Sequence, residues 1–340
     1  MPIITPEEFK RFLHGFNVID CIVREHDLFY FIGREDYTKW PAAKGEAENE
    51  SGPSEYEVKK TFLSYDGAAP IGKRIGRVVL TGYPRTMAGA SKQPDAKGFA
   101  ISSHGDIYAL GGGVKERERD IPSSEDSGPL RGIIRRVRSI DGWLYLCGSN
   151  NCVGKRLGKD SWFSHSEGVP NPPRADGRYN FLHDIDGFSE QDIYTVGNYG
   201  QVFHFDGKAW TRVSLPTNID FETVCCAGDG QVYISGAKGT TYRGRGNKWQ
   251  LIHKGDGSLP FRDMVWFEDR IWCTSDYGLW QIKDGKLESA TLPDGMHAYS
   301  GNLSAAAGVL LLAGYGGAAY LTKGVWTKIF SAAEMNQSVK

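Results

Sequence analysis

The chain has 340 residues, of which 40% are apolar and 12% aromatic, so it has enough apolar material to form a substantial core. Its 40 Lys and Arg residues nearly balance its 41 Asp and Glu residues, which gives a formal net charge of −1. No overall positive field attracts nucleic acid or an anionic membrane surface, and we expect neither as a partner. No apolar run is long enough to cross a bilayer, and the N-terminus lacks the pattern of a secretory signal, so we expect a cytoplasmic protein.

The N-terminal segment, residues 1–15, carries the signal of a helix. Thr5 is a candidate N-cap, Pro6 suits the first helical position, and Glu8 completes a capping box. Apolar residues follow at helical spacing, and Gly15 marks a stop. We expect one short amphipathic helix that covers a sheet edge or one end of the domain.

After this segment the pattern changes to pairs of short, alternating apolar runs. Such pairs lie at residues 16–33, 97–112 and 131–148, and each predicts the first two strands of a four-stranded unit. The first unit carries an insertion at about residues 34–56 before its outer strands. The stretch Lys115–Pro129 is too polar to place the outer strands of the second unit.

The last four units repeat one pattern, whose clearest copy is DIYTVGNYGQVFHFDGKAW at residues 192–210. A tight polar turn, such as Asp186-Gly187, is expected between the first and second strands. A column of large apolar residues and a column of turn glycines each recur every 39 residues: Tyr194, Tyr233, Trp272 and Leu311, and Gly200, Gly239, Gly278 and Gly317. Four short strands per unit at this period indicate a propeller blade.

We therefore predict an all-β fold, a seven-bladed β-propeller of four-stranded antiparallel blades over residues 16–330. The short N-terminal helix precedes it, and a flexible tail over residues 331–340 follows it. Two ways of closing the ring remain open. Either residues 325–330 form the outer strand of the last blade, or the last blade borrows a strand from the N-terminal region.

The string D-I-Y-x-V-G-x-x-G-x-V-x-x-x-D-G-x-x-W at residues 192–210 is similar to repeats of bacterial propellers in the WD-repeat-like and photosystem assembly factor-like superfamily. The likeness covers four blades well and three poorly, and the Gly-His and Trp-Asp dipeptides of WD repeats are missing. The resemblance implies a fold and not an activity, because this superfamily includes binding proteins and enzymes alike.

Two sets of propeller connections lie on one face, where ligands usually bind: those between the second and third strands, and those between blades. Tyrosine and arginine recur on these connections, and both residue types dominate the centres of protein interfaces. The candidate partner-binding residues are Arg178, Tyr179, Tyr199, Lys238, Arg262, Tyr277, His297, Tyr299 and Tyr315. The alternative, in which the tyrosines only pack on neighbouring loops, stays open.

Our first hypothesis is a non-enzymatic protein that binds another protein through this face. Its most specific form is a bacterial cytoplasmic immunity protein that inhibits a toxin, encoded nearby, by occluding the active site of the toxin. The insertion is acidic and would suit a basic nuclease; its acidic residues are Glu46, Glu48, Glu50, Glu55 and Glu57. An assembly chaperone or scaffold of a larger complex differs from this hypothesis only in the partner.

The second hypothesis is a glycosidase-like propeller hydrolase or lyase with a site at the channel mouth. It requires carboxylates with perturbed pKa values close together in a deep pocket. The candidates are His183, Asp184, Asp263 and His297. No nucleotide, metal or nucleophile motif is evident, so we expect no cofactor, no metal and no assigned catalytic residue. The basic run at residues 132–138 either lines the channel or forms an ion-paired strand.

Overall fold

The computed structural model describes residues 3–39, 52–173, 177, 179–255, 257 and 260–338. In these residues, seven sheets of four antiparallel strands follow one another along the chain. The first strand of each sheet, here called the inner strand, contacts the inner strands of both neighbouring sheets, which closes a ring around a central channel. The predicted seven-bladed β-propeller is therefore confirmed.

The strands are assigned to blades in chain order. Blades 1 and 2 contain β1 (Phe16–Glu25), β2 (Leu28–Glu35), β3 (Lys60–Asp66) and β4 (Ile75–Leu80), then β5 (Met87–Ser91), β6 (Lys97–Ile101), β7 (Ile107–Gly111) and β8 (Val114–Glu118). Blades 3 and 4 contain β9 (Ile134–Ile140), β10 (Trp143–Gly148), β11 (Val153–Gly158) and β12 (Ser161–Ser164), then β13 (Leu182–Ser189), β14 (Asp192–Gly197), β15 (Val202–Phe205) and β16 (Trp210–Arg212). Blades 5 and 6 contain β17 (Phe221–Cys226), β18 (Val232–Gly236), β19 (Thr241–Arg245) and β20 (Lys248–His253), then β21 (Asp263–Phe267), β22 (Arg270–Ser275), β23 (Gly278–Lys283) and β24 (Lys286–Ser289). Blade 7 contains β25 (Asn302–Ala306), β26 (Val309–Gly314), β27 (Gly317–Thr322) and β28 (Val325–Ser331).

Apolar side chains fill the space between each pair of neighbouring blades. The 39-residue column of the sequence supplies them, because its members Tyr194, Tyr233, Trp272 and Leu311 all lie on second strands and are buried. Burial of large apolar side chains at every interface between blades is the main favourable term for this architecture. Tight turns such as Asp141-Gly142 connect the strands, with φ of 51° and 81° at the two residues. Positive φ at both residues matches the twist of the flanking strands.

The second blade begins earlier than the sequence predicts. Residues 97–112 span its second and third strands, not its first two, and its inner strand is Met87–Ser91. This strand has the sequence MAGAS, whose small residues show no alternation of apolar and polar side chains. Close packing against the next blade explains the glycine of this strand, because a Cβ on Gly89 would lie 3.0 Å from Leu144 Cδ1. The connection between β2 and β3 spans residues 36–59 and overlaps the insertion predicted at about residues 34–56.

The predicted turn at Asp186-Gly187 is wrong, because both residues lie inside β13. Asp186 pairs with Tyr194 and Gly187 with Ile193, and the turn follows at Glu190. Glycine is required here for close packing, since a Cβ on Gly187 would lie 2.8 Å from Ile140 Cγ2. Asp186 is thereby placed on an inner strand that faces the channel.

The predicted N-terminal helix is present as α1 (Pro6–Phe12). Thr5 Oγ1 accepts a hydrogen bond from the Glu8 N–H at 3.1 Å, and Glu8 Oε2 accepts one from the Thr5 N–H at 3.0 Å, which completes the capping box. A second helix, α2 (Ala332–Ser338), follows the last strand. Among the described residues, neither helix nor any other is long and apolar enough to cross a membrane.

The ring closes without exchange of a strand, because blade 1 and blade 7 are each continuous in sequence. The Ile3 N–H donates to the carbonyl oxygens of Lys328 and Ile329, both at 3.2 Å, which attaches the N-terminus to the outer strand of blade 7. Phe9 of α1 and Met335 of α2 are buried in one apolar cluster with side chains of blades 1 and 7. Residues 332–338 therefore differ from the expected flexible tail, because burial of Met335 fixes them.

We expect Met335→Ala to lower the free energy of unfolding by about 2–5 kcal/mol, since it leaves a cavity in the cluster that closes the ring. Asn336→Ala, at an exposed position of the same helix, is the matched control and should change stability by less than about 0.5 kcal/mol. Urea unfolding followed by intrinsic fluorescence measures both. Equal, small effects for the two variants would show that α2 does not help to close the ring.

Candidate functional site

Polar side chains on the inner strands bind the backbone of the following blade. Asp184 Oδ2 accepts a hydrogen bond from the Val224 N–H at 3.1 Å, and Asp186 Oδ2 accepts one from the Cys226 N–H at 2.7 Å. The same contact recurs at three other interfaces between blades. The N–H groups of Ala88 and Leu303 donate to the carboxylates of Asp20 and Asp263, and the Val23 N–H donates to the Ser304 hydroxyl. These contacts satisfy inner-strand N–H groups that would otherwise be buried without a partner.

Two arginines of blade 3 cross the channel and neutralise two of these carboxylates, those of Asp184 and Asp263. Arg138 binds Asp184 in a bidentate manner, with Nε–Oδ1 at 3.0 Å and Nη2–Oδ2 at 2.9 Å, and its Nη2 also lies 3.0 Å from Asp263 Oδ1. Arg136 Nη1 lies 3.1 Å from the same Asp263 oxygen. Blades 3, 4 and 6 are thus joined through one buried ion network, and the basic run at residues 132–138 both lines the channel and forms ion pairs.

The network sets the charge state of its members. Burial alone would raise the pKa of Asp184, but the positive charges of Arg138 and Arg136 outweigh it and hold the pKa below 3.8. The nearby carboxylates likewise outweigh the effect of burial on Arg138 and raise its pKa. Asp184 is therefore ionised at neutral pH and bound on both oxygens.

This arrangement does not form the site that the hydrolase hypothesis requires. Asp184 and Asp263 do lie together, but arginine bridges them, and no hydrogen bond or ion pair links either of them to a histidine within the residues that the structure describes. His183 Nδ1 instead lies 3.0 Å from Phe221 O and 3.4 Å from Glu222 Oε2. His297 is exposed in the connection between blades 6 and 7.

Cavities lie along the channel on both sides of the two arginines, with Arg138 lining one of them and Arg136 lining two others. On one side lies a cavity of about 410 Å³. It is lined by Asp186, Cys225 and Met264 and by residues near the points where the inner strands lead into the turns to the second strands. We call this side the turn face. On the other side lie two cavities of about 440 and 330 Å³, which share Arg135, Arg136 and Arg262. This side carries the connections between second and third strands and those between blades, and we call it the loop face.

Asp186, on the turn-face side, differs electrostatically from Asp184. Burial raises its pKa from 3.8 to about 6, and the charge of Arg138 and the N–H groups of Cys226 and Gly187 oppose this only in part. The carboxyl borders the cavity but is surrounded by protein on most sides. Its ionisation at neutral pH therefore costs stability.

The loop face exposes tyrosines. Tyr277 is 80% exposed, Tyr179 65%, Tyr315 63% and Tyr56 50%, and each lies on a connection of this face. Among the described residues these are all of the strongly exposed tyrosines. They come from different blades, so they are distributed around the channel mouth. Exposed aromatic rings with polar tips, spread over one face, are typical of protein-binding surfaces.

The structure places most of the sequence-predicted residues on this face. Tyr179, Tyr277 and Tyr315 are among its exposed tyrosines, and Lys238 and His297 are exposed on neighbouring connections. Three further predicted residues behave differently, and a fourth, Arg178, lies outside the described residues. The Tyr199 N–H binds Asp220 Oδ1 at 2.7 Å, the half-exposed Arg262 pairs with Asp276 at 3.2 Å, and Tyr299 is buried.

The burial of Tyr299 rules it out as a surface residue. It lies in a short 3₁₀ turn, Met296–Tyr299, and its ring packs in the apolar cluster between blades 6 and 7. A Cβ on Gly317 would lie 2.7 Å from its ring, so a glycine of the repeat column makes room for it. The sequence shows a tyrosine on a loop, but the direction of its side chain depends on packing from the next blade.

The acidic insertion is mostly outside the described residues, which exclude Glu46, Glu48 and Glu50. Glu55, within them, binds Arg34 and lies 3.1 Å from Lys60 Nζ. These contacts lower the pKa of Glu55 despite its partial burial. Its charge is used within the blade and is not offered to a basic partner.

Sequence reasoning missed Tyr56, Arg85 and Arg135 as loop-face residues. Tyr56 lies in the insertion and its ring is 5.7 Å from that of His104 in the next blade. Arg85 lies in the connection between blades 1 and 2, and Arg135 lies at the start of β9. Arg135 belongs to the basic run noted in the sequence, but nothing in the sequence shows which of its arginines face the mouth.

The fold and this surface define a seven-bladed β-propeller with a broad, tyrosine-rich face. The chain is 31% identical over 218 residues to the immune protein Tsi7 of Pseudomonas aeruginosa, and the alignment covers 64% of this chain and 71% of that protein. It belongs to the family of Tsi7, and the expectation of an immunity protein is confirmed at this level. No protein-family model matches the chain.

Solved structures show the same fold. PorZ, a bacterial surface component of the type-IX secretion system of Porphyromonas gingivalis, has a TM-score of 0.55 at 14% identity; the match covers 94% of this chain and 39% of PorZ. YCF48 of Cyanidioschyzon merolae has a TM-score of 0.54 at 12% identity, with 89% and 94% covered. The WD40 propeller of Doa1 has a TM-score of 0.51 at 12% identity, with 89% and 91% covered. The resemblance to WD-repeat-like and photosystem assembly factor-like propellers is thus confirmed as a likeness of fold.

The raised pKa of Asp186 predicts how stability changes with pH. The carboxyl is protonated in the folded protein up to about pH 6 but ionises at about pH 3.8 in the unfolded protein. Its contribution to the free energy of unfolding is therefore fully present below pH 3.8 and is lost as the pH rises to about 6. We expect the stability of the wild type relative to Asp186→Asn to fall by up to about 3 kcal/mol between pH 3.5 and 7.5.

Unfolding in urea at several pH values measures how the difference in free energy of unfolding between the two proteins changes with pH. A difference that is the same at every pH does not affect this comparison. Asp294→Asn, at an exposed loop position, is the control and should show no such trend. A difference between wild type and Asp186→Asn that stays flat with pH would contradict the environment assigned to Asp186.

Proposed function

We propose that this chain is an immunity protein that binds a toxin through the loop face and thereby blocks access to the active site of the toxin. The observation that supports this most directly is the kinship with the immune protein Tsi7. The kinship supplies the class of partner, and the four exposed tyrosines of the loop face supply the surface.

The shape of the face favours a protein partner over a small molecule. Its exposed rings lie on connections of several blades and not around one enclosed pocket. Small-molecule sites are concave and mostly apolar, whereas the cavities of about 440 and 330 Å³ on this face are lined largely by charged side chains. A broad surface with aromatic anchors suits an interface that covers the active site of another protein.

The state of the cysteines supports a cytoplasmic site of action. All six cysteines are free thiols, and five of them are buried. Burial raises the pKa of Cys147, Cys225 and Cys273, which keeps these thiols protonated and unreactive. Free thiols suit a reducing compartment, and an immunity protein in the cytoplasm would meet a toxin that enters or is made there.

The direct experiment mixes the purified chain with the protein encoded by the adjacent gene and measures both binding and the activity of that protein. We expect a stable complex in which the toxin is inactive, and expression of the chain should restore growth of cells that produce the toxin. Absence of binding would overturn the proposed function. Binding with full toxin activity would overturn only the occlusion of the active site.

We expect Tyr277→Ala and Tyr315→Ala each to weaken the complex by at least about tenfold, because exposed aromatic anchors contribute more than about 1.4 kcal/mol at the centre of an interface. Phe163→Ala is the matched control, since Phe163 is 50% exposed but lies on β12, the outer strand of blade 3. Biolayer interferometry with immobilised toxin measures the three dissociation constants. Loss of affinity in the Phe163 variant alone would move the interface from the loop face to the rim.

A further inference from the structure

Two arginines at the centre of the loop face form no ion pair within 4.0 Å with a carboxylate in the described part of the chain. Arg85 and Arg135 are both exposed to solvent at the channel mouth, and neither lies within ion-pair distance of a described carboxylate. Their neighbours differ. Arg34 binds Glu55, Arg136 binds Asp263, and Arg262 binds Asp276.

The two unpaired charges are close enough to affect each other. Although Arg135 is exposed, the protein around its guanidinium removes part of the surrounding water and lowers its pKa, and the positive charge of Arg85 lowers it further. Glu222 acts in the opposite direction on the pKa of Arg135 without forming an ion pair with it, and its Oε2 lies 3.4 Å from His183 Nδ1. Like charges held near each other at a partly dehydrated site repel, and an anion bound beside them relieves that repulsion.

Arg85 is held in place by its backbone. Its φ of 43° is in the left-handed region, which is unusual for a residue other than glycine. Hydrogen bonds fix the loop on both sides: the Ser103 N–H donates to Pro84 O at 3.0 Å, and Thr86 Oγ1 donates to Tyr83 O at 2.7 Å. These hydrogen bonds hold the backbone of Arg85 at a position that lines the cavity of about 330 Å³ before any partner arrives.

Arg135 is positioned by aromatic packing. Its guanidinium lies 4.7 Å from the centre of the Phe181 ring, and the Phe181 ring lies 6.5 Å from that of the exposed Tyr179. Phe181 therefore connects Arg135 to Tyr179, one of the exposed tyrosines of the loop face. A guanidinium that stacks on an aromatic ring keeps its edge free for a carboxylate.

We propose that Arg85 and Arg135 receive an acidic side chain, Asp or Glu, from a loop of the toxin that enters the mouth of the channel. This proposal rests on the proposed function and adds the chemistry of the contact. A carboxylate from a protein fits better than the phosphates of a nucleic acid, because the site lies among exposed tyrosines and the chain carries a net charge of −1.

The test compares Arg85→Glu/Arg135→Glu with a control of equal charge change, Lys248→Glu/Lys286→Glu. Both control lysines are exposed at the first residue of an outer strand, next to the turn face. Calorimetric titration with the adjacent-gene protein at 50 and 300 mM salt should show at least about thirtyfold weaker binding for the arginine variant only. Its affinity should also depend less on salt than that of the wild type.

Thermal unfolding checks that the arginine variant is folded, and Arg135→Gln, which removes one charge without reversing it, should weaken binding to a smaller extent. Wild-type affinity in the arginine variant would overturn the proposal while leaving the proposed function intact. Absence of binding by the wild type would overturn the proposed function itself. Titration with a single-stranded oligonucleotide is the third arm, and binding that depends on these arginines would assign the site to phosphate instead.

Discussion

The ring depends on the carboxylates of its inner strands. Four of them, Asp20, Asp184, Asp186 and Asp263, accept a hydrogen bond from the backbone of the following blade, and two arginines of blade 3 neutralise the pair Asp184 and Asp263 at the centre. Removing one partner of a buried ion pair costs about 3–5 kcal/mol because the other charge remains without compensation. Apolar packing between blades supplies more stabilisation in total, but it is not directional. The polar contacts specify which inner strands are neighbours and how they are positioned relative to each other along the channel axis.

The same network lies beside the face where we propose that a partner binds. Arg138 lines the turn-face cavity and Arg136 lines the two loop-face cavities, so the ion network lies between the two faces. The carboxylates of Asp184 and Asp263 are bound by these arginines. The accessible side chains of the loop face include its four exposed tyrosines and the two arginines without an ion pair, Arg85 and Arg135. A protein that binds there contacts several blades at once, which suits the neutralisation of a toxin by a rigid surface.

The periodicity of the last four blades was sufficient to predict the architecture, because columns such as Tyr194 and Tyr233 report packing that repeats from blade to blade. It failed where a strand is made of small residues, as at Met87–Ser91, and where a glycine inside a strand resembles a turn, as at Gly187. Tyr277 and Tyr299 were both predicted to be exposed on loops. Tyr277 is exposed but Tyr299 is buried, since the direction of a side chain depends on the neighbouring blade. Contacts between blades distant in sequence left no local signal.

Hydrogen exchange of the chain, free and bound to its toxin, tests most directly whether the loop face is the interface. The account predicts that binding slows exchange of amides in the connections at residues 198–201, 276–277 and 315–316, while the turns at residues 141–142 and 284–285 exchange as in the free protein. Protection confined to those turns or to the outer strands would contradict it.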